Sequence, residues 1–214
     1  MKRAVDISGR LLRRGYALLF AFVFIFYLGM AVLPAFLMAE GKTKTGELVY
    51  RGFHFLCHQY PWRSWFVGGK QAYYPLISSG QEDVLTFEEA SGLPVSEISP
   101  RRFYGTAEMG YKMAVCQRDT AIYGSMAVFS LLFFLSRNRI AGIDWRLWLI
   151  FGVLPMGIDG VWQMAAHVLP GMTFRESTPL LRTITGALFG FLTCWYLLPV
   201  LERSLNEGEK NDRQ

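Results

Sequence analysis

The run GYALLFAFVFIFYLGMAVLPAFLMA, Gly15–Ala39, carries no charge along its whole length. A helix needs roughly 20 apolar residues to cross a hydrocarbon core about 30 Å thick. This run is long enough, so the chain enters a membrane here. Lys2, Arg3, Arg10, Arg13 and Arg14 stand before it, against the single Asp6. Basic residues beside a span stay in the cytoplasm, which predicts a cytoplasmic N-terminus. The run is too long for the apolar core of a cleavable signal peptide.

Composition agrees with a membrane setting. Of 214 residues, 52% are hydrophobic and only 18% charged, below the usual quarter. The formal net charge is +5, but the basic residues are dispersed and collect at segment ends. Nucleic-acid binding wants a basic face on a soluble fold, and the sequence offers none.

Outward from the first run, the remaining apolar stretches place spans at about 17–38, 118–136, 147–168 and 183–201. Arg137, Arg139 and Arg146 fall in a short basic loop between the second and third. The expected fold is all-α: a four-span transmembrane helical bundle in the cell membrane, with both termini cytoplasmic. A long extracytoplasmic loop, 39–117, carries short helices. One of these covers Thr45 to Leu56, and another opens on Thr86-Phe-Glu-Glu89, which has the form of a capping box. Ala107 to Ser136 reads as one helix with a polar beginning, and no segment reads as a strand. Tyr60, Trp62, Trp65, Tyr73 and Tyr74 read as an interfacial aromatic belt. Met109, Met113 and Met126 are packing residues. Gly186 and Gly190 have the small-xxx-small spacing that admits a neighbouring helix, offering a route to a homo-oligomer.

Three polar clusters interrupt this apolar chain. The first lies in Phe55-Leu-Cys-His-Gln-Tyr-Pro-Trp-Arg-Ser-Trp65, the second in Val115-Cys-Gln-Arg-Asp-Thr120, and the third runs from Asp159 to Arg182. The topology brings all three to the outer face. Cys57, His58, Cys116 and Asp119 could supply soft and borderline donors to a tetrahedral zinc ion. The competing reading is a Cys57–Cys116 disulfide, natural outside the cytoplasm and worth about 3–5 kcal/mol for a loop of that length. Unlinked thiols are the third. Cys194, inside an apolar run, reads as an inert core residue.

Asp159 lies about twelve residues into its span, roughly 18 Å along the axis. A carboxylate at that depth is expensive and implies a role and a partner. Arg182 is the first candidate partner and Arg118 the second. Gln163 and His167 follow Asp159 on the same helical face, which makes Asp159, Gln163 and His167 the candidate catalytic set. Arg63, Arg118, Arg175 and Arg182, with Glu176, fall at the outer boundary and could cradle an anionic headgroup.

These motifs, Cys57-His-Gln-x-Pro-x-Arg-Ser64, Val115-Cys-Gln-Arg-Asp-Thr-Ala-Ile-Tyr123, Asp159-Gly, Gln163, Arg175-Glu-Ser-Thr178, Arg182 and Thr185-Gly186, resemble an uncharacterised family of small prokaryotic multi-pass membrane proteins. The resemblance covers roughly residues 50–195. That family has no settled activity to carry over. Relatives read Cys-x-Arg-Cys where this chain has Cys116-Gln-Arg-Asp119. Exchange of Cys for Asp at one position suits a metal ligand better than a disulfide partner. Residues 69–107 read as an elaboration on the family's core.

The functional expectation is a zinc-dependent hydrolase or transferase acting on membrane lipid at the outer face. The alternatives are a non-catalytic membrane subunit or lipid-binding scaffold, and a small oligomeric transporter.

Overall fold

The computed structural model describes residues 2–168 and 176–211, with side chains placed for 15–162 and 176–208. Its backbone is mostly helical, and it holds one small antiparallel sheet.

Helix α1, Lys2–Ala39, contains the uncharged run. It stops at Gly41, whose φ of 75° is the left-handed conformation that glycine adopts without strain. The Gly41 N–H reaches the Met38 carbonyl and the Lys42 N–H reaches that of Leu37, at 3.0 and 2.9 Å. These two bonds close the helix end and turn the chain back. Helix α2, Thr43–Phe53, therefore starts at once and lies against the last turns of α1. Gly46 makes that contact: a Cβ there would come 2.9 Å from Met38 Sδ and 3.3 Å from the Pro34 carbonyl.

The first loop then builds its own core. Strand β1 is Ser64–Val67, helix α3 is Phe87–Ser91, β2 is Gly105–Thr106 and β3 is Gly110–Cys116. The sheet order is β1-β3-β2, all antiparallel. Thr86 caps α3 and Glu89 returns the bond, completing the capping box. Trp62, Phe66, Tyr74, Phe87, Ile98 and Met109 pack as one buried cluster. Trp62 and Tyr74 are thus core residues of the loop, not members of a belt at the lipid surface.

The sheet corrects the all-α expectation, and its central strand corrects the reading of Ala107 to Ser136 as one helix. β3 is buried on both faces, so it lacks the apolar–polar alternation that marks a half-exposed strand. Its Met113, Ala114 and Val115 join Ala31, Met38, Tyr50 and Phe53, which fastens the loop to α1 and α2.

At Cys116 the strand passes directly into helix α4, Gln117–Leu135. A short turn, α5, Trp145–Leu147, leads through π-helical Trp148–Val153 into α6, Leu154–Val168. Helix α7 is Pro179–Asn211. Among the described residues three stretches are long and apolar enough to cross a membrane: Gly15–Ala39, Gln117–Leu135 and Pro179–Gly208. The expected span at 147–168 is helical too, but its α–π–α course makes it no single regular helix.

α1, α4 and α7 share a core of Tyr16, Ala17, Phe129, Phe133, Cys194 and Leu198. Cys194 is buried there, in keeping with an inert packing role. α7 meets α4 through two glycines. A Cβ on Gly186 would lie 2.7 Å from the Arg118 carbonyl, and one on Gly190 would lie 2.3 Å from that of Ile122. The small-residue face offered to a second copy is taken up within the chain.

Candidate functional site

The first turn of α4 carries two polar clusters. Cys116 caps the helix, with Sγ accepting from the Asp119 N–H at 3.4 Å. Cys57 arrives from the turn after α2, where its N–H bonds the Phe53 carbonyl at 3.0 Å. Ser64 pairs with Cys116 in the sheet, which fixes the height of the incoming loop. The two sulfurs and an Asp119 carboxylate oxygen lie within 4.8 Å of one another. A tetrahedral zinc with bonds near 2.3 Å to sulfur and 2.0 Å to oxygen holds such ligands about 3.5–3.8 Å apart. The three donors would close by at most about 1.3 Å to meet one ion. Both thiols are free and half-buried.

A hydrogen bond between the thiols pulls Cys57 below the ordinary thiol range and pushes Cys116 well above it. The pair therefore gives up one proton readily and the second with difficulty. His58 stands apart from the three. It is exposed and its ring stacks parallel on Tyr60 at 5.8 Å.

Two tyrosines complete the surroundings: one the sequence reading missed, and one that closes the second motif without having been given a role. Tyr27 of α1 and Tyr123 of α4 have ring centroids 4.3 Å apart. Asp119 lies in electrostatic reach of each, and Tyr27 also feels Cys57 and Cys116. The available signal was a phenol hydroxyl well inside an uncharged span.

The second cluster lies on the next positions of the same turn. Arg118 pairs with Asp159 of α6. Asp159 thus takes the second-ranked partner, and the first, Arg182, binds elsewhere. Arg182 is 2% exposed; it donates to Glu176, to Gln117 Oε1 at 3.2 Å and to the Trp62 carbonyl at 3.5 Å. Arg63 Nε reaches the same Glu176 oxygen at 2.6 Å. Gln117 Nε2 donates to the Ser64 carbonyl at 3.2 Å. The three polar stretches of sequence do converge. Nε of Arg118 and Nε of Arg182 are buried without partners among the described residues. Arg175 lies outside the described residues, as do the side chains of Gln163 and His167.

One further residue escaped the sequence reading. Lys112 of β3 has no exposed surface, and its Nζ donates to the carbonyls of Gln59 and Pro100 at 2.6 Å each. Burial pushes its pKa down to about 7. Gln59 sits at φ 57°, rare for a residue with a side chain, and its Nε2 bonds the Tyr50 carbonyl at 2.8 Å.

Residues 107–196 match the model of a family described as predicted membrane protein, DUF2085. The chain is also similar to an uncharacterised protein of Methanocaldococcus jannaschii. The two are 24% identical over 194 residues, which covers 88% of this chain and 94% of the relative. No solved structure matches. The resemblance to an uncharacterised membrane-protein family, inferred from the motifs, is supported by both matches. The matched stretch begins in the loop before β3 and ends inside α7, so it contains Cys116, Asp119, Asp159 and Arg182 but not Cys57.

Proposed function

We propose that the protein is a multi-pass enzyme of the cell membrane that holds zinc between Cys57, Cys116 and Asp119 and acts on an anionic lipid-like substrate. The helical stretch 145–168 serves as the fourth span in this reading. The basic flanks put both termini in the cytoplasm and the first loop outside.

The observation that carries the reading is the mutual approach of three ligand atoms within 4.8 Å. With His58 turned onto Tyr60, the fourth position falls to water or a substrate oxygen, as in catalytic zinc sites. The ion would polarise a phosphoryl or carbonyl oxygen. Beside it, Arg63, Arg118 and Arg182 face the two carboxylates Asp159 and Glu176. That surplus of one positive charge among the described residues favours an anionic headgroup. Asp159 is the proposed acid or base.

Metal analysis of the purified protein tests this. About one zinc per chain is expected, falling below about a tenth in Cys116→Ser. A metal-free wild type rejects the reading. Thiol labelling that requires prior reduction would establish the disulfide in its place.

A non-catalytic scaffold is favoured by a different observation: each carboxylate of the second cluster is already paired with arginine. The two readings part at Asp159→Asn. The enzyme reading expects loss of turnover on a lipid phosphate or ester, whereas the scaffold expects only a lower melting temperature.

A further inference from the structure

A second basic site lies away from the cysteines, between α2 and the turn before β2. Glu47, Arg51, His54, Arg101, Arg102 and Tyr104 line a cleft of about 670 Å³. Arg51 is 3.6 Å from Glu47, on the helix turn that both share. Arg101 and Arg102 make no ion pair among the described residues, so the cleft carries a net positive charge. His54 makes a backbone hydrogen bond with Arg101. Its Nε2 is buried and has no partner among the described residues. Burial, with the Arg101 charge second, holds this imidazole below its ordinary pKa. A neutral imidazole has one N–H, here given to Arg101, so Nε2 donates to an incoming oxygen only when a bound anion draws a second proton onto the ring.

The segment that carries Arg51 and His54 also exposes apolar side chains. Leu48, Phe55 and Leu56 are 70%, 95% and 64% exposed. Leu48 lies three residues before Arg51 on α2, and Phe55 and Leu56 follow in the turn directly after the helix. Phenylalanine exposed to that extent on a folded loop is costly in water. α2 begins only four residues after Ala39, the end of the first span, so this segment stands at the membrane surface. Apolar side chains beside a basic centre match the boundary where acyl chains give way to phosphates.

We propose that this cleft binds the phosphate of an anionic lipid headgroup in the adjacent leaflet, with Arg51, Arg101, Arg102 and His54 on the phosphate and Leu48, Phe55 and Leu56 in the acyl region. Bidentate arginine contacts are suited to phosphate oxygens, and the net positive cleft selects anionic over zwitterionic lipids. The site is separate from Arg63, Arg118 and Arg182, and it stands whether or not zinc binds at Cys116.

Native mass spectrometry of the full-length protein in neutral detergent tests it, with phosphatidylglycerol and phosphatidylcholine titrated in parallel. The wild type is expected to bind phosphatidylglycerol at least tenfold more tightly than phosphatidylcholine. The exposed double variant Arg101→Gln/Arg102→Gln should lose that preference and keep its melting temperature. Arg139→Gln, an exposed arginine in the loop after α4 and outside both clusters, should change it less than twofold. Unchanged binding by the double variant overturns the proposal, as does an equal loss in Arg139→Gln. A third arm uses inorganic phosphate alone. Displacement of the lipid by micromolar phosphate would assign the cleft to a soluble anion and overturn the lipid source.

Discussion

Lys112 shows how a single buried charge leaves its mark on stability. Its ammonium is held only by the carbonyls of Gln59 and Pro100. Below about pH 7 it carries its proton both folded and unfolded. Between there and lysine's ordinary 10.5 the unfolded chain binds the proton and the folded chain does not. Stability therefore rises with pH across that window. Cys57, within electrostatic reach, works against the shift. Lys112→Met should flatten the rise, which thermal melts at pH 6.5, 8 and 9.5 would resolve; an unaltered slope in the variant would refute the assignment. Lys112 was not legible in the sequence because a lysine in a loop is ordinarily solvated. Cys57, Cys116 and Asp119 were legible, since soft donors outside apolar runs are few. Which arginine meets Asp159 was not, because the choice depends on how α4 and α6 sit side by side.

At the scale of elements, the contact between α4 and α7 is the most constrained. Gly190 faces the backbone of Ile122 at a distance no side chain tolerates. Gly190→Ala should lower stability by more than about 2 kcal/mol through overpacking. Gly157→Ala, where a Cβ meets nothing within 4 Å, should have no such effect. Melting of both variants in the same detergent checks this, and equal melting temperatures would sink it. The long uncharged runs and the capping box could be read from sequence, since each depends on neighbours in the chain. β3 could not: buried on both faces, it has no period of two, and its partners β1 and β2 come from elsewhere in the loop.

For the whole molecule, Glu176 is the tie between loop and bundle. It bridges Arg63, which follows the buried Trp62 of the loop, and Arg182 on α7. Glu176→Gln would leave Arg182 buried and unpaired, at a cost of about 3–5 kcal/mol. Limited proteolysis between residues 64 and 110 should then speed up while the spans stay protected. Cutting at the wild-type rate would show that the apolar seam of β3 with α1 and α2 is sufficient by itself.

The order β1-β3-β2 also governs events during chain elongation. β3 is the last strand made and the only one paired with both others. β2 finds its partners as soon as Gly110 and Tyr111 are made, whereas the pairing of β1 is complete only once Cys116 has followed. The next residue made begins α4. Completion of the sheet is therefore followed immediately in synthesis by the apolar helix that enters the membrane. Until that moment Cys57 waits, unaccompanied, for the cysteine it will face.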